Sequence, residues 1–234
     1  MVHPAQPEER NDLTKMPRTN DLCTFADIQK LIRMKIKMFI VGILSTNSYF
    51  VHCGETKNAI IIDPGFDSPS EAEQIFNYAK TEKLKVNFIV DTHGHSDHVG
   101  GNTILKKKFN VPVCIHAYDA DIINNSGNET PLANILLKNE EVLRFGDATL
   151  RVMHTPGHTP GSICLSGEKE VFTGDTLFAG GIGRTDFAGG SDRDMEESLK
   201  KLMRLPENLA VYPGHGPAST IMEEKMGNPF LRWL

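Results

Sequence analysis

The chain has 234 residues, 39% of them hydrophobic and 24% charged, with a formal net charge of −5. That length suits one globular domain with a sizeable core, and the acidic balance gives no electrostatic reason to expect a nucleic-acid partner. No apolar run reaches the ~18 residues needed to cross a bilayer, so no membrane association is expected.

Residues 1–33 are polar, with Pro4, Pro7, Glu8, Glu9 and Arg10 near the start and no apolar centre of a secretory signal. This predicts a tail or one loosely docked helix, and a cytoplasmic chain. The folded domain is expected over 34–234. Three strands open it, KIKMFIVGI, NSYFVHC and NAIIIDP, divided by turn-forming residues around Ser45 to Asn47 and Gly54 to Asn58. A helix follows, because Ser68 precedes Glu71 at capping-box spacing and Ala72, Ile75, Phe76 and Ala79 share one face.

The apolar run VNFIV, Val86 to Val90, predicts a buried strand, then a loop from Asp91 to Gly101 and a further helix through KKKF into the strand VPVCIH. The Lys106 to Lys108 run reads as the solvated face of that helix. Residues 117–140 read as helical or loop-like, broken at Gly127 and Pro131. Strands are predicted at Glu141 to Phe145, Ala148 to His154, SICLSG and EVFTG. A helix from Asp192 to Leu205 stops at Pro206, and a last strand, LAVY, leads into Pro213 to Gly216. Strands that meander at the start of each half, with helices to cover them, suggest an α/β layered domain of two packed sheets.

The segment THGHSDHVGG crowds His93, His95, Asp97 and His98 into six residues directly after a buried-type strand. Three later segments each add one ligand-type side chain beside glycine: His158 in TPGHTPGS, Asp175 in FTGDTLF and His215 in VYPGHG. Imidazole and carboxylate donors suit zinc first, with iron or manganese also matching. Seven donors exceed what one tetrahedral zinc uses, and two divalent ions sharing a carboxylate fit the number. Glycine beside each donor lets the backbone approach without a Cβ clash.

The order HxHxDH, then His, then Asp, then His resembles the metallo-β-lactamase superfamily from Met34 to Leu234. THGHSDHVGGN with TPGHTPGS and GDTLF is similar to glyoxalase II and its shorter, hydroxyacylglutathione hydrolase-like relatives. The resemblance implies the metallo-β-lactamase fold, an αββα sandwich of two mixed sheets with helices on the outer faces. It implies one metal held by His93, His95 and His158, a second by Asp97, His98 and His215, and Asp175 bridging them. Asp97 and Asp175 would be catalytic, with a metal-bridging hydroxide attacking a small-molecule thioester. A thiolate departs without a dedicated general acid, which suits this chemistry.

Glyoxalase II carries a helical extension after its last metal histidine that supplies glutathione contacts, whereas 19 residues follow His215 here. The segment GIGRTDF, Gly181 to Phe187, also resembles mononuclear-iron persulfide dioxygenases of the same fold, which stand as the alternative reading. Within it, Arg184 either holds a substrate carboxylate or pairs with Asp186 or Asp192 to brace the loop. His3, His52, His116 and His154 read as structural, as do Tyr212 and Trp233. Cys23, Cys53, Cys114 and Cys164 stand singly and read as idle thiols.

Overall fold

The structure, a computed structural model, describes residues 34–124, 133–232 and 234. The readings of the segment 1–33, of Gly127 and Pro131, and of Trp233 lie outside these residues. Strands β1 (Met34–Val41), β2 (Thr46–Cys53) and β3 (Asn58–Ile62) form the expected antiparallel meander. Helix α1 (Pro69–Thr81) starts on the Ser68/Glu71 capping box and buries Ala72, Ile75 and Ala79. Strand β4 (Lys85–Val90) then runs parallel to β3. Two short helices, α2 (Ser96–Val99) and α3 (Asn102–Phe109), lead to β5 (Val113–His116), parallel to β4. Helix α4 (Ala120–Asn124) precedes β6 (Ala133–Leu137), which completes a six-stranded mixed sheet beside β5.

The second half builds another six-stranded sheet. Strands β7 (Val142–Phe145), β8 (Ala148–His154), β9 (Ile163–Ser166) and β10 (Glu170–Gly174) are successive antiparallel neighbours. A small hairpin, β11 (Leu177–Phe178) with β12 (Gly181–Ile182), precedes helix α5 (Asp192–Leu202). Strand β13 (Ala210–Pro213) pairs parallel to β10, and β14 (Ser219–Thr220) lies at the edge beside β13. Helix α6 (Ile221–Gly227) and a turn of 3-10 helix, Pro229–Leu231, follow.

Side-chain alternation turns these strands into layers. In β3, Ile61 packs with Ala72, Ile75 and Leu105 in an outer core beneath α1 and α3. Its neighbours Ile60 and Ile62 join Leu150, Leu165 and Phe172 in the core between the sheets. In the second sheet Val171 turns outward to Met195, Leu199 and Leu202 of α5. The result is helix, sheet, sheet, helix, with fully apolar strand runs because both sheet faces are covered.

Five features correct the sequence reading, the first being that LAVY is not the last strand, since β14 and then α6 follow it. Residues 133–137 form a strand within a segment read as helical or loop-like. The signal there is weak because β6 is five residues long and edge-placed, leaving Ile135 and Leu136 exposed. Helix α5 ends at Leu202, three residues before the expected Leu205, since Leu205 and Leu209 close turns ahead of β13. The loop after β4 contains the single-turn helix α2, and the β11–β12 hairpin was not anticipated. No helix among the described residues is long and apolar enough to cross a membrane.

Candidate metal centre

All seven donor-type side chains named from the sequence meet at one end of the sandwich. They leave it where strands end: His93 to His98 after β4, His158 after β8, Asp175 after β10 and His215 after β13. The two sheets are fastened together beside them, by Ile163 N to Thr92 O at 2.9 Å and Asn47 N to Gly214 O at 2.7 Å. Glycine is required at 214, because a Cβ there would lie 2.3 Å from Asp175 Oδ1 and 2.8 Å from the His98 ring.

Two groups of atoms converge. His95 Nδ1 lies 3.1 Å from His93 Nε2 and 2.9 Å from His158 Nε2. His215 Nε2 lies 3.3 Å from His98 Nε2 and 3.2 Å from Asp97 Oδ2. Between the groups, Asp175 sets Oδ1 at 3.4 Å from His98 Nε2, and Oδ2 at 3.5 Å from His158 Nε2 and 3.7 Å from His215 Nε2.

The far side of each ring decides which nitrogens can donate. His158 Nδ1 donates to the Arg184 carbonyl at 2.7 Å, and His215 Nδ1 to the Leu44 carbonyl at 3.2 Å. Thr92 Oγ1 donates to Asp63 at 2.7 Å, so its contact with His93 Nδ1 at 3.2 Å is accepted from the ring. His98 Nδ1 lies 3.0 Å from Asp63 Oδ2, at ion-pair distance. With those nitrogens carrying the protons, the Nε2 atoms of His93, His98, His158 and His215 present lone pairs to the interior of the cluster. Lone pairs at 3.3 Å repel unless a metal ion or a proton lies between them, and two nitrogens each ~2.0–2.1 Å from a tetrahedral zinc sit about 3.4 Å apart, so the spacing suits a metal. Asp175 Oδ1, buried and without a hydrogen bond among the described residues, meets the same requirement. The donor set therefore fits divalent metal in both groups.

Charge is distributed unevenly. Burial, reinforced by neighbouring imidazoles, pushes His93 well below and His95 below the usual histidine value. Burial acts the same way on His98, but Asp63 and Asp175 outweigh it and raise that ring well above. The hydrogen bond to Asp97 raises His215. Burial opposes ionisation of Asp97 and Asp175, yet the imidazoles of His215 and His98 prevail and hold both carboxyls below the usual range.

Several supporting residues were not singled out from the sequence. Asp63 ends the apolar run of β3 in the left-handed region, φ +49°, and ties Thr92 and His98 together. A lone carboxylate at the end of an all-apolar strand was its legible signal. Asp119, fully buried, accepts from Gly94 N at 2.9 Å, Thr159 Oγ1 at 2.6 Å and Gly161 N at 2.7 Å. One carboxylate thus ties the turn between His93 and His95 to the turn holding His158. Nothing in the local sequence marks it. Thr46 Oγ1 donates to Asp97 at 3.3 Å.

Arg184 is bidentate to Asp186, 2.7 Å for each bond, and lies 3.9 Å over the Phe187 ring. Asp192 is taken by the Thr185 hydroxyl. His116 and His154 stack at 4.1 Å away from the cluster, His52 contacts the Tyr78 hydroxyl at 3.3 Å, and Tyr212 packs on Phe172 at 5.3 Å. Cys53, Cys114 and Cys164 are buried and free, and Cys23 lies outside the described residues.

A two-sheet sandwich with a histidine and aspartate cluster at its strand ends defines the class of metallo-hydrolases. The chain belongs to the metallo-beta-lactamase superfamily, whose family model matches residues 41–215. It is 35% identical to the hydroxyacylglutathione hydrolase GloC of Haemophilus influenzae, over 85% of this chain and 98% of that one. Among solved structures, the B3 metallo-beta-lactamase BLEG-1 is 36% identical with a TM-score of 0.76, covering 85% of this chain and all of that one. TTHA1623 in a di-iron-bound form is 32% identical with a TM-score of 0.72, over 83% of this chain and all of its own.

Proposed function

We propose that this chain is a dinuclear metal-dependent hydrolase of small thioesters, with His93, His95 and His158 holding one ion, Asp97, His98 and His215 the other, and Asp175 shared. The observation that carries this reading is the convergence of lone pairs from seven side chains in two groups that meet at Asp175. When bound, two divalent ions lower the pKa of a water towards neutrality and polarise a carbonyl oxygen. Zinc suits the nitrogen and carboxylate donors best, and the di-iron form of TTHA1623 makes iron the next candidate.

The chain's own residues supply orientation and proton handling. Asp97 is partly exposed, is fixed by Thr46, and stays ionised, so it can accept a hydrogen bond from the attacking water and keep that water aligned. Backbone carbonyls of Leu44 and Arg184 fix the ring tautomers of His215 and His158. No described cluster residue is needed as an acid for the leaving group, since a thiol of pKa ~8.5 leaves as thiolate. The hydroxyacylglutathione hydrolase name of the GloC relative supports the thioester class.

The test is a set of parallel assays on anaerobically purified protein, in zinc and iron forms. Thiol release from a panel of thioesters is followed with a chromogenic disulfide, a chromogenic cephalosporin is offered separately, and an oxygen electrode monitors the protein given glutathione persulfide. Thioester turnover without oxygen uptake is expected. Oxygen uptake by the iron form with no thiol release in either form would replace this reading with the persulfide dioxygenase. Turnover of the cephalosporin alone would replace it with an amide hydrolase.

A further inference from the structure

The cluster residues that reach solvent are His95, Asp97, Asp175 and His215, and aromatic side chains from two separate segments border them. The Phe187 ring lies 5.6 Å from that of His95 and 6.4 Å from that of His158. At the opposite end the Phe178 ring lies 6.1 Å from that of His215, whose Nδ1 is held by the Leu44 carbonyl. Phe187 is 45% exposed and Leu44 61%.

These side chains stand on turns fastened from behind. Gly42 N donates to Glu71 at 2.7 Å and Ile43 N to Asp67 at 3.0 Å, fixing the turn that carries Leu44. Gly180 N donates to buried Glu224 at 2.9 Å, and Asn228 Nδ2 reaches the Gly181 carbonyl at 3.0 Å, fixing the turn that carries Phe178. Arg184 lies against Phe187, with its fork spent on Asp186. An exposed ring, Phe187, and a half-buried one, Phe178, held on braced turns beside a polar cluster are the arrangement of a ligand site, where they gain by covering apolar surface. The same contacts pair Arg184 with Asp186 and put the Asp186 carboxylate next to Phe187.

We propose that Phe187 and Phe178 are the specificity-determining pair of this site, receiving uncharged apolar substituents on the two sides of the cluster. The chain then favours thioesters of apolar acids and uncharged thiols over those of carboxylate-bearing thiols such as glutathione. The reaction in this statement rests on the hydrolase reading; the preference for apolar thiols does not.

Calorimetric titration of the zinc-loaded full chain with benzyl mercaptan and with mercaptosuccinate reads the preference directly. Benzyl mercaptan is expected to bind at least ~10-fold tighter, with that ratio collapsing towards unity in Phe187→Ala and falling in Phe178→Ala. Phe187→Leu, which keeps apolar bulk, retains an intermediate ratio and serves if the alanine variant fails to fold. Hydrolysis of an apolar acyl N-acetylcysteamine thioester and of S-lactoylglutathione is followed alongside, the former with the higher kcat/KM. No preference for the apolar thiol, or a preference unchanged in all variants, overturns the proposal whatever the hydrolysis arms show. A preference that the variants abolish, with no thioester turned over, upholds the apolar selectivity and overturns the hydrolase reading instead.

Discussion

The two halves of the cluster hold their histidines by different means. In the half formed by His93, His95 and His158, the supports are neutral acceptors, the Thr92 hydroxyl and the Arg184 carbonyl, and the loops are tied by Asp119. In the half formed by Asp97, His98 and His215, the Asp63 carboxylate stands behind His98 and the Leu44 carbonyl behind His215, one donor is itself a carboxylate, and the side chain of His215 is 27% exposed. In the first half burial disfavours the charged forms of His93 and His95. In the second, neighbouring carboxylates make His98 and His215 more basic. A buried neutral set is preorganised for metal, whereas in a charged set protons compete with metal for the same nitrogens.

The largest effect that sharpens this contrast is expected from His215→Ala, which removes a donor from the charged half only. Elemental analysis after desalting should find the protein short of one ion per chain, with the three-histidine half still filled. Asp119→Asn attacks the other half without touching a donor. Replacing an acceptor oxygen by a donor amide opposes Gly94, Thr159 or Gly161, and a loss of ~10–100-fold in metal affinity is expected there, read by chelator competition. Loss from both halves equally would break the comparison. Thr159→Val removes the hydroxyl that donates to Asp119 and accepts from Ser162 Oγ; loss of the Asp119 bond costs about 1 kcal/mol, or roughly fivefold in affinity for the same half.

Acidification separates the halves in a predictable direction. A donor imidazole must be neutral, and His98 and His215 titrate above the usual value of ~6.5 while His93 and His95 titrate below it. Dialysis from about pH 7.5 to about pH 5.5 should therefore release metal from the charged half first. Simultaneous release would show that the carboxylates do not control occupancy. The smallest effect is expected from deleting residues 1–33, which we propose lie outside the 34–234 domain: metal content and melting temperature should stay unchanged.

Much of this centre was legible because its donors are few residue types at short spacing. His93, His95, Asp97 and His98 share one loop after an apolar strand, and His158, Asp175 and His215 each sit beside a glycine or a strand end. The supports were harder to read. Asp119 lies 25 residues from Gly94 and 42 from Gly161, so its role exists only once two loops from different sheets meet. The fold shows the same division. Strands flanked by turn residues were readable, while β6, whose Ile135 and Leu136 are left exposed, and the two-residue strands of the β11–β12 hairpin are fixed by their neighbours.

The proposal that the two halves form one centre depends on Asp175, whose Oδ2 lies 3.5 Å from His158 in one half and 3.7 Å from His215 in the other. Metal content of Asp175→Ala, measured by elemental analysis beside the wild type under anaerobic purification, tests it most directly. Two ions per chain in the wild type and loss from both halves in the variant are expected. A variant that keeps two ions per chain would contradict the shared ligand, and with it the dinuclear centre as described.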